Sequence, residues 1–345
     1  MSEVCEKPIS LKNIGLDTLS LPDWFSEILD LDAESKKERL TYSNGVVRFQ
    51  DSISNAQQQT QEAFGFKWSQ RDSFESEEMV TRTRRWLIER YAEPTPYVNS
   101  FASKPIVLDA GCGAGLSALE YWKDNFSNIH YLGIDISTAV DVCRQRFESR
   151  QVRDAAFMQA NIEKLPLKPS TVDMIFSEGV MHHTDSTRNT FLSLAKLLKK
   201  KGMFLFYVYN KKGPIREFVD DYIREQLQPM NPEEGWDALR PLTKLGKLLG
   251  DLDITIDIPE EIKLLDIPAG KINLQRFFYW HVFKAYYDSK LNLEEMNHIN
   301  YDWYAPKNAH RHTPEEVRGW CDEASMRIVR EIVEPSGITI VAIKD

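Results

Sequence analysis

The sequence predicts an α/β protein built on a doubly wound, mostly parallel sheet with an antiparallel last strand, an N-terminal extension and a helical insert. Between residues 105 and 210, short apolar runs alternate with segments of helical spacing. This pattern is typical of a parallel sheet with helices on both faces. The first apolar run also ends in a glycine-rich turn, and open parallel sheets bind their ligands at such turns.

The glycine-rich turn follows the apolar strand residues 106–108 and precedes a helical segment at 116–122. Glycine permits a sharp turn and a close approach of the backbone to a bulky ligand. The spacing differs from a dinucleotide fingerprint, which needs a glycine at position 116, and a phosphate loop would need Gly-Lys-Ser/Thr. The ligand-binding candidates in the turn are Asp109, Gly111, Cys112, Gly113 and Gly115.

Three further strands follow at 131–135, 157–162 and 172–176. The first ends in Asp135, about 20 residues after the glycines, where a carboxylate can accept hydrogen bonds from both ribose hydroxyls of a nucleoside. The second carries Asn161 near its end, and the third leads to Glu178 and to the histidine pair at 182 and 183.

These four segments, in this order, resemble the class I methyltransferases that use S-adenosyl-L-methionine. The resemblance implies a Rossmann-like sheet, with Asp135 on the ribose and Asn161 at the position where the family usually has an aspartate against the adenine amino group. It implies a cofactor site formed by Asp109, Gly111, Cys112, Gly113, Gly115, Asp135, Ile136, Asn161, Ile162, Glu178 and Trp68.

Residues 44–49 and 64–68 resemble the N-terminal extension of the ubiquinone-biosynthesis-like branch (type 11), in a degenerate form without the ribbon cysteines. The resemblance predicts that Trp68 lies at the methionine end of the cofactor, where an aromatic ring gains cation-π attraction to a sulfonium. The remainder of residues 1 to about 60 is polar, and we expect it to be irregular apart from an amphipathic turn at 21–31. The segment 302–313 resembles a conserved stretch of the same branch that ends before a helix.

Four regions are predicted: an N-terminal extension (1–75), a methyltransferase core (76–210), a helical insert or acceptor lid (211–312) and a C-terminal helix with strands that complete the core (313–345). In the core, we expect a helix over 187–200. Residues 199–202, Lys-Lys-Lys-Gly, are predicted to cap its C-terminus. The aromatic stretch 275–287 predicts a helix. Residues 313–316 form a capping box, which predicts the start of another helix.

The acceptor pocket is predicted between the histidine pair and an insert carrying Tyr279, Tyr304 and His310. Methyl transfer needs alignment and exclusion of water, and a hydroxyl acceptor also needs a base. A neutral histidine has a well-matched pKa for that task. His183 is the first candidate, with Asp185 as its orienting carboxylate, and His182 is the second.

Composition restricts the partners. The net charge of -9 argues against a general nucleic-acid binder. The 4 cysteines lack metal-site spacing, which predicts no metal and reduced thiols in the cytoplasm. The acidic residues 1–8 do not form a signal peptide, and no apolar run is long enough to cross a membrane. The oligomeric state stays open, with a homodimer as one alternative.

The sequence therefore predicts transfer of a methyl group to a small-molecule acceptor, foremost O-methylation in a sugar or natural-product pathway. Two alternatives stay open: a methyltransferase that acts on RNA or protein, and a user of S-adenosylmethionine that does not methylate. A noncatalytic relative would be expected to lose Gly111, Gly113, Gly115 or Asp135, and all four are present.

Overall fold

The computed structural model describes residues 21–31 and 39–345. Its α-helices are α1 Asp23–Ile28, α2 Asn55–Ser69, α3 Glu77–Tyr91, α4 Thr95–Val98, α5 Leu116–Tyr121, α6 Ala139–Ser149, α7 Thr187–Leu197, α8 Pro214–Leu227, α9 Pro232–Asp251, α10 Leu274–His281, α11 Leu293–Tyr304 and α12 Pro314–Glu323. Its strands are β1 Leu40–Ser43, β2 Val46–Phe49, β3 Ile106–Ala110, β4 His130–Asp135, β5 Ala155–Gln159, β6 Val172–Glu178, β7 Leu198–Tyr209, β8 Thr255–Ile258, β9 Gly270–Asn273, β10 Met326–Val333 and β11 Gly337–Lys344.

One nine-stranded sheet organises the protein, in the order β1-β2-β5-β4-β3-β6-β7-β11-β10. Neighbours from β2 to β7 are parallel, whereas β11 is antiparallel to both β7 and β10. This confirms the predicted mostly parallel sheet with an antiparallel last strand. Because the strand order reverses at β3, a crevice opens at its carboxyl end, which is the usual ligand position in such sheets.

The N-terminal region is more regular than its polar composition predicts. From residue 40 onward it forms a hairpin, β1 and β2, and then the helix α2. Asn44 and Gly45 both have positive φ, which suits a tight hairpin turn, and Val46, Val47 and Phe49 are buried. Pairing of β2 with β5 extends the core sheet by one hairpin. The predictions for residues 1–8 lie outside the described residues.

The prediction that residues 199–202 cap a helix is wrong. Helix α7 ends at Leu197, and the next residue already pairs with Val172 at the start of β6. The lysine run therefore forms an irregular beginning of β7, in which Lys201 has a φ of 63°. The ammonium of Lys199 lies 2.9 Å from both carboxylate oxygens of Asp173.

The insert is mainly helical, as predicted, and also contains the two-stranded sheet β8-β9. The aromatic stretch 275–287 is helical only as far as His281, and its remainder has no regular secondary structure and is buried or half-buried. The capping box at Thr313 is confirmed, since its side chain and that of Glu316 each bond the other's main-chain amide. Within the described part of the chain, every helix is too short or too polar to cross a membrane.

Candidate functional site: the cavity at the carboxyl ends of the strands

A cavity of about 470 Å³ lies at the carboxyl ends of β3, β4, β5 and β6. Helices α2 and α3 border it on one side, and α8, α10 and α11 of the insert border it on another. Of the predicted cofactor residues, only Gly115 does not line it. A Cβ at Gly115 would lie 2.7 Å from the Sγ of Cys143, so this glycine allows α5 to pack against α6. The predicted residues that line the cavity are Trp68, Asp109, Gly111, Cys112, Gly113, Asp135, Ile136, Asn161, Ile162 and Glu178.

Asp135 joins the end of β4 to the glycine turn. One of its oxygens accepts hydrogen bonds from the main chain and hydroxyl of Ser137, at 2.8 and 2.7 Å. The other accepts the main-chain amide of Gly113 at 2.9 Å, which leaves it one further lone pair. Burial raises the pKa of Asp135, and these hydrogen bonds oppose the shift. The carboxylate thus has less capacity for ribose hydroxyls than the sequence predicts.

The indole ring of Trp68 lies directly against the glycine turn in the cavity wall. Gly111 and Gly113 both have positive φ, and a Cβ at Gly113 would lie 2.9 Å from the indole Nε1 of Trp68. The Trp68 ring is held edge-on by Phe74 and His298, at centroid distances of 5.0 and 5.3 Å. A buried carboxylate, a glycine cradle and an aromatic face fit a nucleoside that carries a sulfonium.

Asn161 lies beyond the strand on which it is predicted, because β5 ends at Gln159. Its side-chain oxygen accepts the main-chain amide of Glu163 at 3.0 Å and keeps a second lone pair. Asn161 and Ile162 therefore line the cavity from a turn that this hydrogen bond stabilises.

Two buried carboxyl groups follow the central strands. Asp109 accepts the hydroxyl of Tyr131 at 2.6 Å, and Glu178 accepts the hydroxyl of Tyr91 and lies 4.0 Å from the guanidinium of Arg90. Burial raises the pKa of both groups to about 7. Both carboxyl groups therefore titrate near neutral pH.

His183 lies at the cavity wall in a defined orientation. Its Nδ1 is 2.6 Å from the main-chain oxygen of Asn308. A carbonyl can only accept, so Nδ1 carries the proton and Nε2 of the neutral ring is an acceptor. Nε2 is buried and has no hydrogen-bond partner within the described chain. Burial lowers the pKa of His183 to about 4, so the ring is neutral at pH 7 and less basic than the sequence predicts.

Two neighbours of His183 differ from the prediction. Asp185 does not orient it, since its carboxylate accepts Ser54 and Asn308 side chains instead. His182 is buried behind the cavity wall, where its ring stacks on Tyr209 at a centroid distance of 3.6 Å. No group of three His, Cys, Asp or Glu side chains suited to a metal ion occurs in residues 21–31 and 39–345.

Of the predicted insert residues, only Tyr279 lines the cavity. Tyr304 is buried behind the wall and donates to Asp220 at 2.7 Å. His310 lies 3.0 Å from the main-chain oxygen of Thr184, which ties the loop after β6 to the end of the insert. Neither side chain therefore lines the cavity, because each is engaged by these contacts behind its wall.

The sequence analysis missed a set of charged residues in the cavity wall: Lys67, Arg90, Lys212, Lys284 and Asp302. Lys67 and Asp302 form an ion pair that joins α2 to α11, and Asp302 also accepts the hydroxyl of Tyr209 at 3.1 Å. Lys67 and Asp302 belong to the two segments singled out by resemblance, 64–68 and 302–313. That resemblance was the one available signal, and it applies to two of these five residues.

A family model described as a methyltransferase domain matches residues 102–236. Three relatives match parts of the chain. Malonyl-acyl-carrier-protein O-methyltransferase of Enterobacter lignolyticus is 32% identical over 29% of this chain and 37% of that protein. Ubiquinone biosynthesis O-methyltransferase of Rickettsia akari is 26% identical over 50% of this chain and 66% of that protein. A tRNA N(3)-methylcytidine methyltransferase of Schizosaccharomyces pombe is 29% identical over 37% of this chain and 44% of that protein.

The matches thus span between about a third and two thirds of these relatives' lengths. The family model spans the strands and turns that carry Asp109, the glycine turn, Asp135 and Glu178. Residues 102–236 therefore form a methyltransferase domain of the class I type, and S-adenosyl-L-methionine is the cofactor of that class.

Proposed function

We propose that the protein methylates a hydroxyl group of a small-molecule acceptor. The observation that carries the proposal is the extent of the cavity. It continues from the glycine turn and Asp135, past His183, to a region lined by α8, α10 and α11 of the insert. Two ligands are therefore accommodated side by side, with the insert over the second.

S-adenosylmethionine, when bound, supplies an electrophilic methyl group on its sulfonium. Asp135 would hold the ribose, Asn161 and Ile162 the adenine, and the glycine turn with Trp68 the methionine end. The insert residues hold the acceptor and exclude water, which is the main contribution of the protein to such a displacement.

His183 is the base in this proposal. Its Nδ1 proton is engaged with Asn308, so the Nε2 lone pair is the one available to an acceptor hydroxyl. A base with a pKa of about 4 removes a proton only as the hydroxyl oxygen becomes acidic during attack. It also holds the hydroxyl in line by a hydrogen bond from the start.

The alternative of an RNA acceptor has one specific observation in its favour, the tRNA methyltransferase among the relatives. Against it stand the net charge of -9 and the position of the acceptor region beneath the insert helices. A nucleobase of the RNA would have to leave its strand and enter a cavity of about 470 Å³.

The test is to incubate the purified protein with methyl-labelled S-adenosylmethionine and a whole-cell extract, and then to separate small molecules, RNA and protein. Label in the small-molecule fraction, in a product stable to mild base and carrying a methyl ether, supports the proposal. Label in RNA or protein contradicts it. Consumption of the cofactor without label in any of these acceptors indicates a non-methylating reaction and also contradicts it.

We also propose that the protein works in a reducing compartment such as the cytoplasm. Cys112, Cys143 and Cys321 are all buried as free thiols, and such thiols persist where glutathione keeps them reduced. Alkylation of the protein within cells, followed by mass spectrometry, should find these three cysteines unpaired. A disulfide between any two of them contradicts the proposal.

A further inference from the structure

Four basic side chains lie together in the part of the cavity wall contributed by the insert. We call Lys212, Arg216, Arg276 and Lys284 the cationic cluster; all four line the cavity. The charged ends of Lys212, Arg216 and Lys284 lie 5.2, 5.4 and 5.0 Å from the ring centroid of Trp303. Arg216 and Arg276 both lie against the ring of Tyr279, at 5.4 and 5.5 Å. The cluster is therefore continuous.

Acidic groups compensate little of this charge. Arg216 forms an ion pair with Asp220 at 2.6 Å. Lys212 donates instead to three main-chain carbonyl oxygens, and Arg276 donates to one. Lys284 is buried, with only 7% of the residue exposed. Its ammonium nevertheless makes no hydrogen bond or ion pair with the described residues. Main-chain carbonyl oxygens accept the hydrogen bonds of Lys212 and Arg276 but do not neutralise their positive charge.

The two nearest carboxylates are already engaged. Asp220 accepts hydrogen bonds from Arg216, from the indole of Trp303 at 2.7 Å and from the hydroxyl of Tyr304 at 2.7 Å. Asp302 is paired with Lys67. Both act on Lys284 through space and raise its pKa, but neither forms an ion pair with its ammonium. Burial lowers the pKa of Lys284 and of Lys212 to about 7, so their surroundings in the protein oppose protonation.

A packing role does not account for Lys284. Replacing a buried, uncompensated charge by an apolar side chain of similar size is commonly neutral or stabilising. The ammonium is therefore a cost to the folded protein unless a ligand supplies the missing negative charge. Asp302 interacts electrostatically with both Lys284 and His183. The ammonium of Lys284 therefore belongs to the same part of the cavity as the proposed base.

We propose that the cationic cluster binds an anionic oxygen group of the methyl acceptor, a carboxylate, phosphate or sulfonate that is not itself methylated. The acceptor is then an anionic small molecule with a separate hydroxyl near His183. This assignment of the acceptor rests on the proposed function, whereas anion binding by the cluster can be tested without methyl transfer. Lys284 and the guanidinium groups donate hydrogen bonds, and Lys212 contributes charge.

The binding test uses the full chain saturated with S-adenosylhomocysteine, so that the cofactor region is filled. Inorganic phosphate and sulfate are titrated into the parent, into Lys284→Met and into Lys244→Met, an exposed lysine on α9 of the same insert. We expect the parent and Lys244→Met to bind alike and Lys284→Met to bind at least about tenfold more weakly, the scale of one lost charge-assisted hydrogen bond. Affinity for S-adenosylhomocysteine should be equal in all three proteins.

The outcomes separate the two proposals. Anion binding that disappears when S-adenosylhomocysteine is present assigns the cluster to the cofactor and overturns the inference, as does equal binding by Lys284→Met and the parent. If S-adenosylhomocysteine fails to bind while phosphate binding still depends on Lys284, the proposed function fails and the anion site stands. A second variant, Arg276→Met, should weaken anion binding in the same direction, and its failure to do so counts against a shared cluster.

The acceptor class is tested on the labelled product. We expect the methylated small molecule to be retained on an anion exchanger at neutral pH. Loss of retention after phosphatase treatment identifies a phosphate, and persistence identifies a carboxylate or sulfonate; both support the inference. A labelled product that passes through the exchanger as a neutral or cationic species overturns it.

Discussion

The imidazole Nδ1 of His183 lies 2.6 Å from the main-chain oxygen of Asn308. This contact joins the loop after β6 to the segment that follows α11, two regions separated by more than a hundred residues of sequence. It fixes which nitrogen carries the proton, because a carbonyl cannot donate. A main-chain atom of the insert therefore performs the orienting role for which the sequence suggests Asp185.

Replacing His183 by glutamine should lower kcat by roughly 10²-fold, the scale of lost general-base assistance, with cofactor affinity nearly unchanged. His281→Gln is the matched control, since His281 does not line the cavity. With a pKa of about 4, His183 stays neutral from pH 6 to 9, so its own titration should produce no step in the rate over that range. Undiminished turnover would indicate an amine or carbon acceptor, or a base elsewhere.

Replacing Asp135 by asparagine should weaken cofactor binding by roughly 1.5 to 3 kcal/mol, the scale for hydrogen bonds to a charged group. The amide keeps one oxygen for the Gly113 or Ser137 donors but loses the charge and part of the acceptor capacity. Calorimetry with S-adenosylhomocysteine measures the change. Binding equal to that of the parent would mean that the ribose lies elsewhere.

Trp68→Ala should weaken binding of S-adenosylmethionine by about 0.5 to 2 kcal/mol, the range of cation-π attraction. Binding of the uncharged S-adenosylhomocysteine should change less, because the sulfonium charge is absent. The control is Trp24→Ala, which removes a tryptophan that stacks on His130 and does not line the cavity. If both ligands weaken equally in Trp68→Ala, the ring acts by packing alone.

Lys284→Met should alter the pH dependence of stability. Burial lowers the pKa of Lys284 from an ordinary 10.5 to about 7, with Asp302 and Asp220 opposing the shift and Arg216 and Arg82 adding to it. Between pH 7 and 10 the unfolded chain therefore binds more protons than the folded protein, so the unfolding free energy rises with pH. One lysine contributes at most about 1.4 kcal/mol per pH unit.

Urea unfolding of the ligand-free protein at pH 7, 8 and 9 measures this effect. The parent and Lys244→Met should gain stability relative to Lys284→Met as the pH rises. Lys284→Met should be the more stable protein at pH 7, where the buried ammonium still costs free energy. Parallel stability curves for all three proteins would show that Lys284 is not a buried, shifted amine.

The sequence by itself determined the parts that depend on local pattern. Alternating strands and helices, the glycine turn and an acid at the end of β4 all follow from neighbouring residues and short spacings. Gly113 and Asp135 could be named because strand ends in a parallel sheet converge on one edge. Failures of local prediction occurred where pairing overrode composition: β2 joins the sheet through buried side chains, and residues 199–202 enter β7 because their neighbour pairs with β6.

Only the tertiary structure decided which residues of the insert meet the cavity. The sequence predicts both Tyr279 and Tyr304 in the acceptor pocket. In the structure Tyr279 lines the cavity, whereas Tyr304 donates a hydrogen bond to Asp220 behind its wall. The cationic cluster is likewise invisible in the chain, since Lys212 and Lys284 are far apart in sequence and both lie against Trp303 after folding. Burial and long-range packing set their charge states, because a pKa depends on the groups that surround a side chain in space.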